Sequence, residues 1–199
     1  MPRLPSAPRR EPGELFGPGF TLFADMLLAG LLTAVVSLPV VTIPAAFAAA
    51  SASLRRSAEG GHVTAGAYFG HLRARLSARG LAAGLALPVV VVVLLVDAAL
   101  VRAGLPGAGV MASALALLAL GGAVVGLRAT ALAEPYALSA REALRRTAGD
   151  PRGTLLLACA VLLAALLAWS IPMLIPLLPG PLAFAATAVD LRSAPEPRS

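Results

Sequence analysis

The residues able to do chemistry are few and scattered. Four carboxylates stand in or beside apolar sequence: Asp25, Asp97, Glu134 and Asp190. Ionisable groups at membrane depth commonly mark proton relays and substrate paths. Asp25, about a turn and a half into the first apolar segment, and Asp97, near the far end of the third, are therefore the intramembrane candidates; the competing reading is a plain carboxylate at the interface. The arrangement below sets these two near opposite faces, so they form no acid/base pair. Arg102, five residues after Asp97, offers it a counter-ion. His62 and His71 lie nine residues apart in an arginine-rich stretch, off the spacing of helical metal ligands, and read as solvated side chains. Cys159 is the single cysteine and sits in an apolar run, so no internal disulfide and no zinc cluster can form. No phosphate-binding loop, nucleophile elbow or zinc-protease motif is present, and nothing pairs a nucleophile with a base. The expectation is a protein that is not an enzyme, with no cofactor and no metal.

A different kind of site is suggested by Ser37-Leu38-Pro39-Val40-Val41-Thr42-Ile43-Pro44, which interrupts a long apolar run. Each proline lacks an N–H and disfavours helix at the residue before it, and the β-branched residues between them favour extended backbone. A helix ends near Leu38 and another starts at Pro44, a good first-turn residue. The turn frees carbonyls that lipid cannot satisfy, and the Thr42 hydroxyl can take one. Pro39, Thr42 and Pro44 are the motif positions of a satisfied structural turn or, alternatively, of a site lined by exposed backbone.

The elements that must carry these residues follow from composition. Of 199 residues 58% are hydrophobic and 13% charged, and the apolar ones come in blocks of about twenty. A hydrocarbon core of about 30 Å takes about 20 helical residues. The fold expected is all-α, a polytopic helical membrane protein. Four full transmembrane helices (about 20–38, 80–101, 109–128 and 153–171) are joined by two shorter proline-delimited segments (44–56 and 175–190), which rely on tilt or partial insertion. Residues 1–19 and 193–199 read as disordered tails around a single domain, 20–192.

Two polar stretches separate the apolar blocks. In residues 57–79 Thr64 caps a helix that places Ala65, Tyr68, Phe69, Leu72 and Leu76 on one face and Arg73, Arg75 and Arg79 elsewhere, suited to an interface. In residues 128–152 Ser139 and Glu142 form a capping box, with Glu142 and Arg146 at the favourable i,i+4 spacing. Arg141 and Arg145 share that helix. These arginines are expected to meet lipid headgroups or a partner protein. Gly121, Gly122 and Gly126 suggest a face for close helix packing.

The sequence also echoes itself. Residues 44–55, PAAFAAASASLR, match 181–192, PLAFAATAVDLR, at seven of twelve positions, three of them alanine. Broken helices in a repeated pattern mark many transporter sites, although alanine bias can mimic a repeat. All sixteen basic residues are arginine. Six segments with the N-terminus in the cytoplasm leave only Arg102 outside, so the positive-inside rule favours this count over four spans. Arginine between apolar blocks fits lipid headgroups and gives no case for nucleic acid.

The segment Leu38-Pro39-Val40-Val41-Thr42-Ile43-Pro44 after a first apolar helix, followed by an alanine-rich helix, an arginine-bearing amphipathic loop and two central spans, resembles the YesL-like family of small bacterial membrane proteins, a domain of unknown function. The family usually has a glycine between the isoleucine and the proline; here there is none. The resemblance implies a bacterial inner-membrane protein associated with carbohydrate ABC transport, with transporter subunits as partners. The alternative is a small transporter that uses its broken hairpins as a substrate site.

Overall fold

The computed structural model describes residues 18–76, 78–104, 107–133 and 138–193. Among these every regular element is helical. They are α1 (Pro18–Val36), α2 (Ile43–Ala58), α3 (Ala65–Arg75), α4 (Ala78–Arg102), α5 (Ala108–Ala131), α6 (Ala140–Gly149), α7 (Pro151–Ser170) and α8 (Pro179–Ser193). Two 3-10 turns, Val40–Thr42 and Pro172–Leu177, join α1 to α2 and α7 to α8. The expected tails fall largely outside the described residues.

The first of these turns reverses the chain. Ser57, at the end of α2, donates to the Asp25 carboxylate near the start of α1 at 2.5 Å, so the two helices run antiparallel. The Thr42 hydroxyl lies within hydrogen-bond reach of the Val36 carbonyl, left open by the end of α1, and of the Pro39 carbonyl at 2.6 Å. The Pro39 carbonyl also accepts the Thr42 N–H at 2.8 Å. Pro44 lies in the first turn of α2, where its missing donor is no loss.

Three helices are long and apolar enough to cross a membrane among the described residues: Gly19–Val36 within α1, α5 and α7. Their outward faces are leucine, valine and methionine, as at Leu117, Leu118, Leu162 and Leu166, and α4 presents a similar exposed row from Val89 to Val96. Helices that expose such rows fit lipid rather than water as solvent. The core is correspondingly small-residued: Ala29, Ala45, Ala49, Ala50 and Ala183 pack with Leu54, Val63, Tyr68 and Leu72.

Glycine sets the closest approaches, though not where the sequence suggested. A Cβ at Gly121, Gly122 or Gly126 would meet nothing within 4 Å, so the expected packing face on α5 is not used. A Cβ on Gly30 of α1 would instead stand 2.7 Å from the Gly180 backbone, and one on Gly180 at 2.6 Å from the Met26 carbonyl. Gly84 of α4 has the Val41 carbonyl where its Cβ would be. Four residues on, Pro88 lies inside α4 and removes the hydrogen bond that the Gly84 carbonyl would accept. The first hairpin tip therefore packs against a weakened early stretch of α4, and residues 85–102 continue past it for about 27 Å.

The α3 helix departs from a purely interfacial role. Thr64 caps it as expected, accepting from the Ala67 N–H at 3.2 Å. The aromatic pair divides, however. Tyr68 is fully buried, with its hydroxyl 3.2 Å from both the Ala46 carbonyl and the Thr33 hydroxyl, while Phe69 stays exposed edge-on to it. Tyr68 thus pins α3 to the α1–α2 hairpin.

Candidate functional site

The charged side chains of the bundle gather at one end. The starts of α1 and α7, the ends of α2, α5 and α8, and α6 all meet there. Asp190, near the end of α8, accepts Arg55 of α2 on Oδ2 and Arg146 of α6 on Oδ1, each at 2.7 Å, with its own side chain 4% exposed. The second partner of Arg55 is the Ala131 carbonyl at 2.7 Å, one of the open acceptors at the end of α5. Arg146 also holds Glu142 through Nε at 3.1 Å, the i,i+4 pair anticipated from sequence. Burial alone would lower the Arg146 pKa, but its hydrogen bonds to Glu142 and Asp190 and their charges outweigh this and raise it.

A second pair lies beside the first. Arg128, at the end of α5, has 1% of its side chain exposed and places Nη2 2.6 Å from Asp150 Oδ2. Asp150 is also the N-cap of α7 and accepts the Gly153 N–H at 2.9 Å. Gly153 leaves room for this pair: a Cβ would strike the Asp150 carboxylate and come within 2.6 Å of Arg128 Nη2, so a larger residue must displace one of them. Half of the expected capping box of α6 forms: Ser139 accepts the Glu142 N–H at 3.4 Å, while the Glu142 carboxylate turns to Arg146 instead of the Ser139 N–H.

The residues singled out from sequence distribute unevenly over this architecture. Pro39, Thr42 and Pro44 form the first hairpin turn, away from the charged end. Asp25 is buried at the charged end, bonded to Ser57, rather than an open interfacial group. Asp97 is half-buried in α4, and no ion pair joins it to Arg102 among the described residues. The structure keeps Asp25 and Asp97 apart. Arg73 and Arg141 are exposed, and Arg145 is 78% exposed with Glu142 at 3.9 Å. Arg75 lines a small cavity with Arg55, Thr130 and Leu132 between α2, α3 and the end of α5. The Arg79 side chain and Glu134 lie outside the described residues. His62 is exposed, but His71 is half-buried rather than solvated. Burial, then Arg56 and Arg75, push its pKa down.

Asp190, by sequence only one of four carboxylates in or beside apolar blocks, is the hub of the end. Its partner Arg55 and the buried Arg128 are, by sequence, arginines between apolar blocks like the rest. One signal was available. In the echoed segments Asp190 stands where Ser53 stands, so the two short helices differ by one charge at an otherwise similar terminus.

No nucleophile is held by a base in this cluster, and no group of metal-ligating side chains occurs among the described residues. Asp190, Asp150 and Glu142 are engaged by arginine, and the pairs of Asp190 and Asp150 join separate helices at this end. No protein-family model matches the chain, and comparison with curated proteins and with solved structures finds no similar relative.

Proposed function

We propose that this chain is a non-enzymatic multi-pass protein of the bacterial cytoplasmic membrane, with six membrane segments and cytoplasmic termini, that serves as an accessory or partner of a carbohydrate transport system. The observation that carries the topology is the bridge of Asp190 to Arg55 and Arg146. It places the ends of α2 and α8 side by side, so each short helix returns to the face from which its hairpin started. The arginine-rich end is then the cytoplasmic face, in keeping with the positive-inside rule. Arg102 and the single tryptophan, Trp169, 87% exposed, fall toward the other side.

In this arrangement α5 and α7 cross, α1 runs from the charged end to the first turn, and α4 runs from the level of that turn to the opposite face. From Ile43 to Arg55 the short α2 covers about 18 Å, against about 30 Å of hydrocarbon. The first turn therefore sits within the bilayer rather than at its outer face, and residues 85–102 of α4 continue from it toward that face. Its backbone is covered by α4 at Gly84, as lipid depth requires.

The association with sugar uptake rests on the YesL-like resemblance. What the geometry adds is a cytoplasmic platform: α6 shows Leu144, 59% exposed, between the outward Arg141 and Arg145, and α3 shows Arg73 beside Phe69. An acidic or amphipathic surface of a transporter subunit fits both. Crosslinking from cysteines at Leu144 and Arg73, with a sugar-uptake assay in a deletion strain, tests the reading. Capture of a transporter subunit and slowed uptake are expected; no capture and unchanged uptake would overturn it.

The echo of the two hairpins favours a second reading, a small transporter. Against it, both turns are packed by backbone, at Gly84 on Val41 and at Gly30 on Gly180. Sugar flux in proteoliposomes of the protein alone would reinstate it.

A further inference from the structure

A cavity of about 500 Å³ opens at the charged end between the start of α7 and the end of α8, lined by Asp150, Arg152, Gly153, Leu156, Val189 and Arg192. Its charge is uneven. The Asp150 carboxylate is taken up by Arg128 and the Gly153 N–H, so it is already neutralised. Arg152 and Arg192 are exposed, and neither makes an ion pair among the described residues. Behind Gly153 lies the buried guanidinium of Arg128, whose Nε and Nη1 have no hydrogen-bond partner. The cavity thus holds two available guanidiniums over a third whose charge is only balanced by Asp150. Leu156, half exposed, and Val189 give it an apolar wall.

We infer that this cavity binds the phosphate of an anionic phospholipid. Guanidinium groups take phosphate oxygens in paired, charge-assisted hydrogen bonds, and basic pockets between helices on the cytoplasmic side hold anionic headgroups. A free phosphate would use the arginines but not Leu156 and Val189. A phospholipid uses both, its phosphate on Arg152 and Arg192 and its glycerol and first acyl carbons along α7. The site rests on reading this end as membrane-bordering. It differs from the exposed Arg73, Arg141 and Arg145 on the outer faces of α3 and α6, which do not line it.

The test is thermal unfolding of the purified full chain in detergent, titrated separately with phosphatidylglycerol, phosphatidylcholine and inorganic phosphate. Phosphatidylglycerol should raise the Tm at concentrations where phosphatidylcholine does not. Arg152→Gln with Arg192→Gln should weaken that response at least fivefold, while Arg102→Gln at the far end leaves it unchanged. If the double variant does not fold, Arg192→Gln alone, on the exposed end of α8, carries the same criterion. An unchanged response in the variant overturns the site, and so does stabilisation by inorganic phosphate equal to that by phosphatidylglycerol. Selectivity in detergent does not depend on which membrane face the cavity occupies, so an error in topology would leave this result standing.

Discussion

Asp190 and Arg55 meet at 2.7 Å although 135 residues separate them, and the same carboxylate holds Arg146 at 2.7 Å on its other oxygen. One side chain thereby fixes three helices at a common end. Asp190→Asn keeps the volume and removes the charge, leaving the partly buried Arg55 without a counter-ion and Arg146 with Glu142 alone. Breaking such a pair by removing one partner costs about 3–5 kcal/mol. The variant should melt well below the parent in detergent. Arg145→Gln, on an exposed pair at 3.9 Å, should shift stability by no more than about 0.5 kcal/mol.

The approach of α1 to α8 makes a second, opposed pair of expectations. Gly30→Ala puts a Cβ 2.7 Å from the Gly180 backbone, and backbone cannot rotate aside. Overpacking of this kind costs about 1–3 kcal/mol. Gly121→Ala meets nothing within 4 Å and gains helix propensity, so it should be neutral or stabilising by up to about 1 kcal/mol. Thermal melts of the two variants check both signs.

How far the sequence foretold this can be argued from particular residues. The helical class, the turn at Pro39 to Pro44, the hydroxyl role of Thr42 and both caps, at Thr64 and Ser139, follow from local rules that need no knowledge of neighbours. What failed was non-local. Gly121 and Gly122 look like a packing face and Gly30 and Gly180 do not, because a stripe shows only that a helix can be approached, not which helix approaches it. Tyr68 and Phe69 look alike as interfacial aromatics until α3 crosses α2 and buries one. Asp190 became a hub through Arg55 and Arg146, which lie on two other helices, and no spacing within α8 encodes that.

Thr42 offers a direct probe of the turn. Thr42→Val keeps the β-branched shape and removes the hydroxyl that serves the Val36 and Pro39 carbonyls. Loss of one hydrogen bond is worth about 0.5–1.5 kcal/mol, more if the carbonyl stays buried and unpaired. Thr42→Ser should retain most of the parent stability. Equal melts for Thr42→Val and the parent would show that the hydroxyl is dispensable.

His71 predicts a pH dependence. Its folded pKa lies below the ordinary 6.5 because of burial and the nearby Arg56 and Arg75, so near pH 6.5 the unfolded chain binds more protons there than the folded one. Stability should therefore fall as pH drops from 7 through 6.5 toward the folded value. Below that value both states are protonated and this contribution stops changing. His71→Gln should flatten that part of the curve in melts between pH 5 and 7.5. An identical slope in the variant would assign the dependence to other groups.

The central claim is that both short helices return to the cytoplasmic face. It is tested most directly by single cysteines in a Cys159→Ala background, Ala103→Cys between α4 and α5 and Ser193→Cys at the end of α8. Intact cells are treated with a thiol reagent that cannot cross the membrane. The account predicts labelling at position 103, and labelling at 193 only after the cells are opened. Labelling of 193 in intact cells would contradict it, because the end of α8, and with it the Asp190 cluster, would then face outward.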